Sequence, residues 1–395
     1  MDFSQTDEQA ELTALARRIL TGKVTPERLA QLESDGDPFD RATWAELASS
    51  GILSAALPEP AGGAGLGLLG QCSVLAEIGR TVAPVPYLAS IVLGAGAIAE
   101  FGTPDQQKAW AVPAASGDVV LAAALAEDDG GDPRAPSATA QPADGGWLLS
   151  GAKTAVLAAP DAAMLLIPAA TPDGVAVFLA GPGDGVTVQR QQVTGGASAG
   201  QVTLTGVRIP AERMLGAPGD GPRITDWLVS RGTVGLCALQ LGVTERALEM
   251  TADYARTREQ FGRPIGSFQA VAQRLADAYV DVEAIRLTMW QAAWELSAAP
   301  EAATVGTAVA TAGTAVAAAG TAVVTADTAV ATAKFWAADA GHRVAHTAVH
   351  VHGGMGIDTS YPVHRYFTAA TFNEFALGGA TTQLRRIGAA LAQCG

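Results

Sequence analysis

Apolar residues recur at three- and four-residue spacing over the first stretch of the chain. Phe3, Leu12, Leu15, Ala16 and Ile19 alternate with Asp7, Glu8, Glu11, Arg17 and Arg18, the pattern of an amphipathic helix. The same spacing predicts helices over residues 41–50, 68–79, 89–101 and 104–115, the last opened by Thr103 as N-cap and Pro104 in the first turn. From about residue 118 the period shortens. Apolar runs at 119–125, 146–149, 163–168, 175–180 and 201–207 alternate with turns such as Asp144-Gly145 and Pro172-Asp173-Gly174, which predicts a β-domain, sandwich or barrel. Past residue 222 the helical period returns, over 231–256 and 266–296. The chain therefore divides into a helical domain (1–117), a middle β-domain (118–221) and a second helical part (222–395), an α+β protein with segregated layers.

One segment repeats. Gly306, Gly313, Gly320 and Asp327 are each followed by Thr-Ala-Val, which keeps Val309, Val316, Val323 and Val330 on nearly one helical face. Near 304–330 this reads as an insertion. It is either a small-residue seam for another helix or, the favoured origin, an expansion of one heptad whose helix depends on packing.

Composition narrows the function. With 395 residues, 49% of them hydrophobic, the chain can bury a large core. Its net charge of −14 argues against a nucleic-acid partner but leaves room for a local patch that holds a phosphorylated ligand. No run is long and apolar enough for a membrane span, and the start at Met1-Asp2-Phe3-Ser4-Gln5 has no signal-peptide pattern. Cys72, Cys237 and Cys394 are scattered, which fits a reducing, cytoplasmic setting.

Two segments carry candidate chemistry. In Arg258-Glu259-Gln260-Phe261-Gly262, followed by Ile265 and Phe268-Gln269, a helix is expected to end at Gly262, stopped by Pro264, and the next to be capped by Ser267. A guanidinium fork suits phosphate oxygens, although a solvated helix end explains arginines alone. In His350-Val351-His352-Gly353-Gly354 a glycine-rich loop follows a helix, where backbone N–H groups can approach phosphates. His342, His346 and His350 share a helical face, but three imidazoles in line cannot close on one ion, so no metal site is assigned.

These motifs, in order along nearly the whole chain, resemble those of the FAD-dependent acyl-CoA dehydrogenases. The resemblance implies an N-terminal helical domain, a middle antiparallel β-domain and a C-terminal helical bundle. It also implies FAD, an acyl-CoA substrate and an electron-acceptor flavoprotein. It makes Arg258, Gln260, Phe261, Phe268, Gln269, His350, Gly353, Gly354, Gly379 and Thr381 the FAD contacts, with the arginine motif and the Gly-Gly loop reaching a neighbouring subunit. His350 stands where the family has glutamine. Residues 125–132 match the family's flavin loop, and 147–153 match the strand before its Trp-Ile-Thr motif.

The match fails at the chemistry. The family's general base, a glutamate that takes the α-proton, falls at Leu377. Its alternative place, read at 235–242, holds no glutamate, and Glu245, Glu249 and Glu374 nearby read as helix-surface carboxylates. Ala126, Ala155 and Leu157 replace the threonine, tryptophan and threonine expected around the flavin. Some actinobacterial relatives are α2β2 assemblies of unlike chains that often act on bulky acyl-CoAs such as steroid side-chain thioesters. This chain resembles the partner without the base. Two other readings stay open: a homotetrameric dehydrogenase with Glu245 or Glu374 as relocated base, and a flavin-free structural paralogue.

Overall fold

The computed structural model describes residues 6–298 and 312–393. Helix α1 (Asp7–Lys23) starts on a reciprocal cap, in which the Thr6 hydroxyl accepts the Gln9 N–H and the Gln9 side chain returns to Thr6. Its buried face is Leu12, Ala16 and Leu20. Phe3 lies outside the described residues. Helices α2 (Pro26–Asp35), α3 (Arg41–Ser49) and α4 (Gly67–Thr81) follow. The single helix expected over 89–101 is two elements, a π-wound α5 (Tyr87–Ala95) and α6 (Gly96–Phe101). All of α5 is buried, and its Ser90 hydroxyl accepts the Leu121 N–H of the first strand at 3.1 Å. The cap at Thr103 forms as expected, accepting the Gln106 N–H.

The middle strands hydrogen-bond into one eight-stranded sheet: β1 (Leu121–Ala123), β2 (Thr139–Ala143), β3 (Gly146–Leu157), β4 (Met164–Thr171), β5 (Gly174–Ala180), β6 (Thr187–Gln191), β7 (Ala199–Pro210) and β8 (Met214–Leu215). Their order is β6-β7-β3-β2-β4-β5-β8, with β1 alongside β4. Pairing is mostly antiparallel, but β4 runs parallel to both β1 and β2. Period-two alternation splits the strands between two cores. On β4, Leu166 faces the helical core, whereas Leu165 and Ile167 join Leu149, Phe178 and Val202 in the sheet's own cluster.

The C-terminal bundle comprises α7 (Gly221–Thr257), α8 (Gln269–Ala298), α9 (Ala312–His352), α10 (Val363–Phe375) and α11 (Ala380–Gln393). Helices α4 and α7 cross backbone to backbone. A Cβ on Gly79 would lie 2.1 Å from the Leu239 carbonyl oxygen, and one on Gly242 would lie 1.9 Å from that of Ala76. Of the heptad positions, Val309 lies outside the described residues and Val330 is buried on α9. Cys72 and Cys237 are free and buried, and Cys394 lies outside the described residues. No helix among the described residues is long and apolar enough to cross a membrane.

Candidate functional site

Helix α7 ends at Thr257, five residues before the expected stop, because Arg258 turns extended (φ −75°, ψ 121°). Its N–H still donates to the Tyr254 carbonyl, and its own carbonyl accepts the Ile265 N–H, both at 2.8 Å. Between them lies a two-stranded hairpin, β9 (Glu259–Gln260) and β10 (Arg263–Pro264). Its turn residues Phe261 and Gly262 both have positive φ, 54° and 76°, which suits a tight hairpin turn. Phe261 is 93% exposed, and Phe268 packs edge-on to it while lying under the Arg263 guanidinium. Among the described residues the Arg258 side chain makes no hydrogen bond or ion pair, and it is exposed, as are Gln260 and Gln269. Ser267 does not cap α8. Its hydroxyl donates to the Pro264 carbonyl instead.

The Gly-Gly loop follows the end of α9, with Gly353 at φ 60°. His350 is exposed beside it. The residue that organises this corner is His352, which the sequence reading passed over. It is buried, stacked at 4.4 Å on Tyr254 and 5.3 Å from Tyr361. Its Nδ1 lies 2.8 Å from the Ala348 carbonyl, so Nδ1 carries the proton. Burial pulls its pKa down, which keeps the ring neutral. His352 thereby fastens the last turns of α7 and α9 together, so the arginine motif and the Gly-Gly loop stand side by side. The spacing of His352 to Gly353 was visible, but its partners Tyr254 and Tyr361 are remote in sequence.

The three histidines of the α9 face border a groove of about 380 Å³ against α8, shared with Arg274, Asp277 and Asp281. His342 and His346 lie 4.2 Å apart, and His342 Nδ1 sits 3.0 Å from a Glu374 oxygen. No cluster of metal-ligating side chains occurs among the described residues.

At the expected place of the base, Leu377 has φ 55° and Gly378 φ 96°. The turn is braced from both sides. Buried Gln383 donates to the carbonyls of Leu377 (3.3 Å) and Gly378 (3.0 Å). Fully buried Lys334 donates to those of Asn373 (2.5 Å) and Glu374 (3.1 Å), the last turn of α10. Gly379 and Thr381 follow this turn, Thr381 exposed. A Cβ on Gly232 would lie 3.1 Å from Leu377 Cδ1. The helical position that faces Leu377 is therefore Gly232, one turn before the stretch 235–242. Gly235 instead packs beneath Leu88 and Leu75. The nearby carboxylates are engaged elsewhere: Glu245 between Arg80 (2.9 Å) and Arg286 (2.6 Å), Glu249 with Arg80, and Glu374 with His342.

The flavin-loop segment is tied down by its own side chains. Glu127 pairs with Lys153 at 2.7 Å and accepts the N–H groups of Ser137 and Ala138. Burial opposes the Glu127 charge, yet Lys153 and those donors hold its carboxyl below the usual range. Arg134 binds Asp226 at 2.6 Å, and Asp132 lies 3.7 Å from Arg134 and 3.6 Å from Arg386. Burial, with Asp226 nearby, pushes the Asp327 carboxyl up. Ala155, at φ 48°, donates its N–H to Gln191 Oε1 at 2.7 Å. A dinucleotide laid in this loop would face the carboxylate of Asp327 and, among the described residues, two arginines, Arg134 and Arg386, already taken up by Asp132 and Asp226. The segment does not fit an FAD pyrophosphate.

A cavity of about 660 Å³ opens between α2, the α4–α5 connection, the β6–β7 loop and α10. Leu157 and Asn373 line it, whereas Leu377, Glu245 and Glu374 do not.

Residues 6–118 match the acyl-CoA dehydrogenase N-terminal domain and residues 219–392 the C-terminal domain of that family. The chain is 48% identical to acyl-CoA dehydrogenase FadE27 of Mycobacterium tuberculosis over 100% of this chain and 99% of that one. It is 29% identical to the human mitochondrial short-chain specific acyl-CoA dehydrogenase, covering 88% and 81%. Among solved structures it is similar to a chain of the ChsE4-ChsE5 complex from Mycobacterium tuberculosis, with TM-score 0.89, 48% identity and coverage of 100% and 99%. It is also similar to a chain of a variant of the Tcur3481-Tcur3483 steroid ACAD, with TM-score 0.85, 41% identity and coverage of 98% of each chain. Over three layers in this order, with its two exposed motifs side by side, the chain belongs to the acyl-CoA dehydrogenase family.

Proposed function

We propose that this chain is the subunit of a hetero-oligomeric, α2β2 acyl-CoA dehydrogenase that completes the FAD site of an unlike family member and supplies no base of its own. The observation that carries this reading is a contrast. The Arg258 guanidinium is exposed and, among the described residues, unpaired, while the base position is an apolar contact of Leu377 on Gly232. Arg258, Gln260, Phe261, Phe268 and Gln269, with His350, Gly353 and Gly354, face outward together and suit the diphosphate of a flavin held by the partner. Gly379 and Thr381, beside the altered flavin loop, belong to the same proposal. When bound, the flavin supplies the hydride acceptor for α,β-dehydrogenation of the thioester. This chain orients that cofactor and excludes water from its phosphate end. Glu245, clamped by two guanidiniums, and Glu374, beside His342, serve structure in this reading and not proton transfer.

The likeness to the ChsE4-ChsE5 complex and to a steroid acyl-CoA dehydrogenase supports an unlike partner and a bulky substrate such as a steroid side-chain thioester. Electrons would leave to an acceptor flavoprotein, in the cytoplasm, with domains at 1–117, 118–221 and 222–395. Co-expression with an unlike family member, followed by mass and flavin determination, tests this. One FAD per pair of chains is expected, and no dehydrogenation by this chain alone. One FAD per chain, with turnover by the isolated chain, overturns it.

A further inference from the structure

Helices α7, α9 and α10 share a small core of their own, with Val243 and Ala247 from α7, Ala345 and Ala348 from α9, and Val363 and Tyr366 from α10. His352, the last residue of α9, follows this core, and three segments meet on its ring. It stacks at 4.4 Å on Tyr254, the residue whose carbonyl accepts the Arg258 N–H at 2.8 Å. Its Nδ1 donates to the Ala348 carbonyl, one turn back along α9. Its Nε2 faces the Tyr361 hydroxyl at 3.5 Å, on the segment that leads into α10. The next residue is Gly353, whose positive φ opens the Gly-Gly loop. That loop folds back so closely that a Cβ on Gly356 would lie 2.8 Å from the Val349 backbone. One imidazole therefore touches the anchor of the arginine hairpin and stands at the root of the Gly-Gly loop.

No carboxylate pairs with this ring among the described residues. The charged groups of the surrounding segments are engaged elsewhere: Arg246 with Glu249, Asp253 with Arg256, Asp358 with Ser360, and His364 with the Tyr361 carbonyl. His350, also titratable, is exposed. A proton added to His352 would be a buried charge without a partner, which is costly.

We propose that His352 is a positioning residue for the partner's flavin, holding the Arg258 hairpin and the Gly353-Gly354 backbone in register for one diphosphate. This role rests on the reading that both motifs complete a partner's FAD site. A ring that ties the two motifs beforehand spares the complex the cost of ordering them on binding. The neutral imidazole does this and the imidazolium does not, so the grip on FAD weakens in acid. Burial holds the His352 pKa below its ordinary 6.5. Its stabilising share is therefore complete above that value and fades as the pH falls from there toward the lowered pKa.

The test uses the full-length chain in its complex with the unlike family member. It reads FAD retention on dilution, by released flavin fluorescence, from pH 7.5 to 5.5. His352→Phe keeps a ring for the stack and cannot take a proton, whereas His352→Ala removes the stack as well. At pH 7.5 the alanine variant should lose retention about tenfold, and the phenylalanine variant should recover most of it. Toward pH 5.5, retention by the wild type should drop about threefold or more relative to His352→Phe. Protonation of exposed His350 favours the diphosphate, the opposite sign, and acts equally in both chains, so it cancels from this ratio. Equal retention by the wild type and both variants at pH 7.5 overturns the inference, and so does a ratio that stays constant to pH 5.5. A loss in His352→Ala that phenylalanine does not recover, and that follows the fall in Tm, makes the residue structural and also overturns it. If the alanine variant does not assemble, the pH ratio decides alone. Arg258→Gln, measured alongside, separates the two readings. If it and the His352 variants all leave retention unchanged, the proposed function fails. If it loosens FAD while the His352 variants do not, only the positioning role fails.

Discussion

Replacing Arg258 by glutamine should loosen FAD from the complex while leaving the fold intact. The reason lies in how the residue is held. Its backbone is fixed by two 2.8 Å hydrogen bonds, to Tyr254 and from Ile265, that do not involve the side chain. The guanidinium is exposed and makes no contact with a carboxylate among the described residues. Its loss should therefore change unfolding free energy by no more than about 0.5 kcal/mol. Against a diphosphate, the same group offers a fork of charge-assisted hydrogen bonds, of which one is worth roughly 1.5–3 kcal/mol. Retention of FAD should fall about tenfold to a hundredfold. Arg258→Lys, which keeps the charge and loses the fork, should fall between. Flavin fluorescence released on dilution measures retention, and a melt of the same sample measures the fold. Arg208→Gln, an exposed arginine on β7, controls for net charge. Unchanged FAD retention in Arg258→Gln would refute the assignment. So would a drop in stability equal to that of an unfolding variant, because Arg258 would then be a structural residue.

Three further outcomes follow from the braced turn and the clamped carboxylates. Burial lowers the Lys334 pKa to about 8 from an ordinary 10.5. Between those values the unfolded chain holds a proton the folded chain lacks, so stability rises with pH there. The wild type should gain up to about 3 kcal/mol on Lys334→Met between pH 7.5 and 10.5, and a pH-independent difference in urea unfolding would refute this. Leu377→Glu places a carboxylate on the apolar contact with Gly232, so it should cost about 2 kcal/mol and produce no dehydrogenation by the isolated chain. Glu245→Gln removes the common partner of Arg80 and Arg286, so it should destabilise by about 2 kcal/mol. Turnover of the complex should change less than twofold, whereas loss of a working base would lower it by at least about a hundredfold.

What could be read ahead of the structure was whatever is written locally. The Thr103-Pro104 start and the 3.6 period of α1 each depend on residues a few positions apart, and each appears where expected. The errors came where two distant segments decide the outcome. Gly262 and Pro264 look like a helix stop, but Arg258 leaves the helix first, because the chain folds back into a hairpin whose turn needs positive φ at Phe261 and Gly262. The alternative place of the base was read at 235–242, whereas the α7 position that meets Leu377 is Gly232, a pairing that only the crossing of α7 with the α10–α11 turn can set. His352 shows the same limit at the level of function. Its neighbour His350 stood out because it occupies the place of a glutamine, yet it is His352, stacked on Tyr254 and tilted against Tyr361, that ties the ends of α7 and α9 together. The braced turn sharpens the point. Lys334 and Gln383 still hold the backbone around Leu377 as though a side chain there had to be aimed, although leucine has no proton to move. A chain that had merely lost its activity would have no need of that bracing. One that must still present Gly379, Thr381 and α11 in fixed register to a partner would need it, and this favours a subunit that completes another's site over one that has decayed.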